Sequence, residues 1–141
     1  MLFNTTHKDD KISNRINEIT GKPYSFIQSI KMGGTGSNRM VLTEASKHFE
    51  SCLNKVADTQ YCNLELRPNG VLVHINKGLA NYTWAIPYYQ LVIYKSKTLS
   101  IHANGMFIKI KLDMNFHRNY KFFNQLEDLK LAQTEAHNFI H

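Results

Sequence analysis

No stretch of this chain approaches the ~18 consecutive apolar residues needed to cross a bilayer, which excludes an ordinary membrane-spanning helix. Its opening residues, MLFNTTHKDDK, have neither the basic n-region nor the apolar h-region of a secretion signal, so the expected residence is cytoplasmic. Cysteine is scarce: Cys52 and Cys62 are too few for a disulfide framework and read as two buried thiols. Arginine is scarce too. Of 17 basic residues against 11 acidic ones, only Arg15, Arg39, Arg67 and Arg118 are Arg, and the formal charge is +6. A diffuse lysine surplus favours solubility and weak attraction to anions, whereas base reading and phosphate clamping lean on Arg.

What the chain does have is alternation. In residues 98–112, TLSIHANGMFIKIKL, the dipeptide Asn104-Gly105 tolerates the two positive φ angles of a type I′ turn. A two-residue loop then pairs Leu99 with Ile110, Ile101 with Ile108 and Ala103 with Met106 on a buried face. His102 with Phe107, Ser100 with Lys109 and Thr98 with Lys111 take the other face. A second hairpin is expected at Asn69-Gly70, pairing Leu66 with Val73 and Leu64 with Ile75 inside, and Glu65 with His74 outside. Further strands are expected over 80–86 and Tyr89–Tyr94, with Lys95–Lys97 as the turn between Tyr94 and the hairpin.

The N-terminal third has a different rhythm. Ile12, Ile16 and Ile19 recur at helical spacing after Asp9-Asp10, and Gly21 with Pro23 stops the helix. Residues 24–31 alternate as a strand, and 32–38, MGGTGSN, read as a flexible loop. A second helix is expected from Thr43 to near Asp58, with Ala45, Phe49, Cys52, Leu53 and Val56 on one stripe. A closing helix over 118–137 would carry Phe122, Leu126, Leu129 and Ala136 on its apolar side. At 141 residues and 43% apolar content the chain suits one domain over 1–141, with 1–8 loosely held. The expected class is α+β: a bent antiparallel sheet or partial barrel of five to six strands, closed by a C-terminal helix and preceded by one or two helices.

The order GVLVHI, YTWAIPYYQLVIY, LSIHANGMFIKIK and an amphipathic helix resembles the later strands and terminal helix of bacterial pleckstrin-homology-like domains. The nearest local likeness is Trp84-Ala85-Ile86-Pro87-Tyr88, where such domains often carry an Ile-Pro-Tyr step between strands. The likeness spans about residues 61–135. A full domain of that family has seven strands. The resemblance implies a bent sheet closed at one end by a helix, and it carries over no functional residues.

Candidate chemistry is sparse. Gly33, Gly34, Gly36 and Ser37 ahead of an expected helix suggest an anion-binding loop with Arg39 beside it, though the Gly-Lys-Ser/Thr ending of a P-loop is missing and Arg39 stands where a dinucleotide fingerprint needs its third glycine. The seven histidines form no ligand pattern, so no metal is expected, and no cofactor motif occurs. Neither cysteine stands beside a histidine and an orienting group in a pattern that suggests a nucleophile. The outer hairpin face sets Phe107, Lys109 and Lys111 beside His102, with Lys95 and Lys97 at its end. Such a face could stack bases and follow a phosphate backbone, or its lysines could guard a sheet edge. Since no titratable group converges at a spacing chemistry needs, the chain reads as a non-enzymatic module for protein interaction or self-association. Anion or single-stranded nucleic-acid binding at the hairpin face is the second reading, and an enzyme with a pocket built from distant residues the third.

Overall fold

The hairpin is where the sequence dictates geometry most tightly, and the fold is built outward from it. In the computed structural model, which describes residues 1–53 and 59–140, strands β7 (Thr98–Ala103) and β8 (Met106–Lys111) pair in the expected register, from Thr98 opposite Lys111 to Ala103 opposite Met106. Asn104 and Gly105 take φ of 50° and 78° at the turn. Six further strands join them: β1 (Leu2–Asn4), β2 (Met40–Ala45), β3 (Gln60–Leu66), β4 (Gly70–Lys77), β5 (Ala80–Pro87) and β6 (Val92–Lys95). All pairings are antiparallel, in the order β1-β5-β4-β3-β2-β8-β7-β6. The sheet is open, with β1 and β6 at its edges.

The expected partial barrel of five to six strands is therefore corrected to an unclosed eight-stranded sheet. Two strands arise where none was expected. Residues 2–4, placed in a loose tail, pair with Tyr82–Trp84 of β5, and the terminal amine donates to the Ala85 carbonyl at 3.0 Å. Residues 40–45, placed partly in a helix, form β2 between β3 and β8. Phe49 and Cys52 of that supposed helix are buried by a 3-10 turn over Lys47–Cys52, whose three-residue repeat puts both on one side. Val56 and the expected end near Asp58 lie outside the described residues.

The second hairpin turns one residue earlier than expected. Arg67 N donates to Gly70 O at 2.9 Å across Pro68-Asn69, so Leu66 faces Val71 and Leu64 faces Val73. Proline presets the first corner of such a turn. Gly70 has no positive φ; it is glycine because a Cβ there would lie 2.3 Å from the Ile86 carbonyl oxygen and 2.9 Å from Thr20 Cγ2.

Helix α1 (Asp10–Thr20) forms as read, capped by the Asp9 carboxylate on the amides of Lys11 and Ile12 and closed by Gly21 at φ 87°. Its Ile16, with Ile12 and Ile19, packs on Leu72 and Ala85, the outer face of β4 and β5. The main core lies on the other face, where Phe122 and Leu126 of α4 (Tyr120–Ile140) join Met40, Leu64, Val73, Trp84, Ile101 and Ile108. Leu129 packs at its margin, while Ala136 is exposed. A short α3 (Met114–His117) precedes α4. Tyr89–Tyr94 divides into a 3-10 turn (Tyr88–Gln90) and β6.

One element has the opposite character to its expectation. Residues 24–31, read as a strand, give way to α2 (Phe26–Met32), a seven-residue helix. Ser25 Oγ accepts from Gln28 N, and Gly33 closes the helix in the left-handed region at φ 78°.

Candidate functional site

Helix α2 buries none of its residues. Phe26, Ile27 and Ile30 are 81%, 67% and 62% exposed. At about 100° per residue they occupy roughly 100° of arc, while Met32, which packs against the core, points away from them. The helix thus presents three large apolar side chains outward.

Beside this face lies a groove of about 600 Å³ between the end of α2, the glycine loop and the start of α4. Ile30 and Lys31 form one wall; Arg118, Lys121 and Phe122 form the other, with Gly33, Gly34, Gly36 and Asn38 at its side. Every charged residue lining it is a cation. Asn119, buried, holds the walls together: its Oδ1 accepts from Asn38 N at 2.8 Å and its Nδ2 donates to Asn115 O at 2.8 Å. Gln125 Nε2 donates to Met32 O, tying α4 to the end of α2.

The glycine loop is laced to β3 instead of hanging free. Ser37 N donates to Leu64 O, Leu66 N to Thr35 O, and Leu64 N to Ser37 Oγ, all within 2.7–2.8 Å. The amides of Gly33, Gly34, Ser37 and Asn38 are all donated inside the protein. A strand, not the expected helix, follows the loop. Of the sequence-read loop residues, Gly34 and Gly36 line the groove, Ser37 is used in holding β3, and Arg39 lies over the Tyr61 ring at 4.3 Å. The groove's cations come instead from Lys31, Arg118 and Lys121.

The hairpin face is arranged differently. Tyr94, His102 and Phe107 stack on one another across β6, β7 and β8, with centroids 5.0 and 5.4 Å apart and planes 15° and 28° from parallel. Ring faces spent on each other are not open to bases, except at the ends of the row. Lys109 pairs with Glu44 at 3.3 Å and Lys95 lies over Phe116 at 5.7 Å, while Lys97 and Lys111 extend to solvent. Strand β8 sits between β7 and β2, so its lysines do not guard an edge.

A third cluster joins residues distant in sequence on the outer face near α1. Arg67 Nε donates to Glu65 Oε2 at 2.6 Å; His74 Nε2 meets Glu65 Oε1 at 3.1 Å and His74 Nδ1 meets Thr83 Oγ1 at 3.1 Å. A carboxylate only accepts, so His74 Nε2 is the donor to Glu65. Thr83 in turn shares a 2.8 Å bond with Thr5. Burial works to raise the Glu65 carboxyl, but hydrogen bonds and charge from His74 and Arg67 outweigh it and hold it below the ordinary carboxylate value. Hydroxyl, imidazole and carboxylate stand here in the order of a nucleophile relay. Thr83 is nevertheless 2% exposed, and Arg67 also binds Asn17 Oδ1 and Gly21 O at 3.0 Å each. Arg67 thereby ties α1 to the sheet.

Both cysteines are free and buried. Burial raises the Cys52 thiol and pushes Cys62 up to about 12, so neither forms a thiolate readily. Among the described residues no three His, Cys, Asp or Glu side chains gather as metal ligands, and no helix is long and apolar enough to cross a membrane. Comparison with protein-family models, with curated proteins and with solved structures finds no match.

Proposed function

We propose that this protein is a small non-enzymatic interaction module whose binding face is α2 together with the cation-lined groove beside it. One observation carries the reading: Phe26, Ile27 and Ile30 stand in water on the side of α2 facing away from the core. Burying a side chain of this size is worth ~1.5–3 kcal/mol, so a contiguous trio left exposed marks a surface kept for a partner. The Glu65–His74–Thr83 row supports the non-enzymatic side of the reading, since the Thr83 hydroxyl is buried and bonded to Thr5 as well as to His74.

Retention on a sulfated polyanion resin at low salt tests the location. Lys31→Glu with Lys121→Glu should elute at markedly lower salt than wild type, and Lys109→Glu with Lys111→Glu nearly unchanged. The reverse order would move the binding face to the hairpin.

A further inference from the structure

The net charge is not spread evenly. Residues 19–43 and 114–126 contain Lys22, Lys31, Arg39, Arg118 and Lys121 and not one Asp or Glu. Those two segments hold five of the six net positive charges; the remaining chain has 12 basic residues against 11 acidic ones. The fold brings the segments together at the groove, where Ile30 and Lys31 of the first face Arg118 and Lys121 of the second. An apolar wedge and a cationic, acid-free wall are therefore contiguous through Ile30.

We propose that this face docks on the surface of an anionic lipid bilayer. Phe26, Ile27 and Ile30 enter the boundary between headgroups and acyl chains, and Lys31, Arg118 and Lys121 meet lipid phosphates. The inference rests on the interaction-module reading above and names its partner. Three features choose this occupant. The apolar residues are outward-projecting, and a fluid interface accepts a wedge without a complementary cleft. Cores of protein–protein interfaces are depleted in lysine, whereas lysine beside aromatic and aliphatic residues is the composition of elements lying in the membrane plane. A second copy docking face to face would bring the two cationic surfaces together. At seven residues α2 is about 10 Å long, suited to lying along an interface some 5–10 Å deep and not to spanning it.

The test is co-sedimentation of the full chain with vesicles of phosphatidylcholine alone and of phosphatidylcholine mixed with phosphatidylglycerol. Binding to the mixed vesicles, falling steeply with salt, is expected, with little to the neutral ones. Phe26→Ser with Ile30→Ser should weaken it about tenfold or more, leaving the thermal midpoint near wild type because both residues are exposed, and Phe26→Leu should retain it. Lys31→Gln with Lys121→Gln should weaken it comparably, and Lys109→Gln with Lys111→Gln should not. No binding to the mixed vesicles, with polyanion retention intact, would overturn the lipid assignment and leave the interaction module standing; loss of both would remove both. Vesicle binding indifferent to Phe26→Ser with Ile30→Ser would reduce the effect to surface charge and overturn insertion. Binding to soluble polyglutamate that depends on Phe26 and Ile30 would assign the face to an acidic protein instead.

Discussion

Gly70→Ala probes the junction of α1, β4 and β5, because two explanations of that glycine predict different costs. If Asn69-Gly70 formed a type I′ turn, alanine would meet positive φ and lose about 1–2 kcal/mol. The backbone at Gly70 has no positive φ, so on conformational grounds alone alanine would even gain ~0.4–1 kcal/mol from a less free unfolded chain. The geometry reverses that sign. The new methyl would stand 2.3 Å from Ile86 O and 2.9 Å from Thr20 Cγ2. Reaching an ordinary carbon–oxygen contact of roughly 3.3 Å requires about an ångström of movement. The atom that must move is backbone in β5, beside Pro87, which itself pairs with Gly70. The expected loss is about 3 kcal/mol, the upper end for overpacking, with α1 loosened at Thr20. Gly105→Ala is the control: φ is 78° and nothing lies within 4 Å, so only the ~1–2 kcal/mol of backbone strain applies. Urea unfolding followed by Trp84, the only tryptophan and a buried one, reads both through the midpoint at constant m. A Gly70→Ala protein as stable as Gly105→Ala, or more so, would refute the close approach.

Tyr88→Phe should cost ~1–2 kcal/mol in the same assay, because Tyr88 Oη donates to the Arg67 carbonyl at 2.7 Å in a buried site; a neutral change would contradict that bond. Neither cysteine should react with a thiol reagent in the native protein near neutral pH, both reacting once urea unfolds it; rapid native labelling would contradict their burial. Glu65 is held below its unfolded value of about 4.3, so its contribution is fully present above that pH and fades as pH falls through the folded value. The gap in urea midpoint between wild type and Glu65→Gln should therefore shrink on acidification from about pH 6 to about pH 3. A gap independent of pH would contradict the paired carboxylate.

Parts of the chain whose local chemistry admits one geometry were legible. Asn104-Gly105 with alternation on both sides leaves a single register, and Asp9 with Gly21 brackets one helix. Where two periods fit, sequence reasoning chose the wrong one. Tyr24, Phe26, Gln28 and Ile30 alternate as a strand, yet Ser25 and Gly33 also stand where the caps of a short helix belong, and the caps prevail. Ala45, Phe49, Cys52 and Leu53 suit a helical stripe, but Glu44 and Ala45 continue a strand that pairs with β8 there and with β3 at Met40 to Leu42, where a missing strand would split the sheet. The hairpin at Pro68 was misplaced because Asn-Gly is a stronger turn signal than Pro-Asn, and the crowding that requires Gly70 involves Ile86 and Thr20, both distant in sequence. The docking face was hidden for the same reason. An apolar residue in a sequence carries no mark of facing outward, and the two acid-free segments, visible on inspection, lie about 70 residues apart until the fold joins them.

An environment-sensitive fluorophore at position 27 tests the membrane-facing role of α2 most directly. Cys52 and Cys62 are buried, so Ile27→Cys supplies the one accessible thiol of the described residues for labelling. On vesicles containing phosphatidylglycerol the probe should shift to the blue and become quenched by brominated acyl chains. A spectrum identical to that in buffer, with the protein bound to those vesicles, would contradict the account.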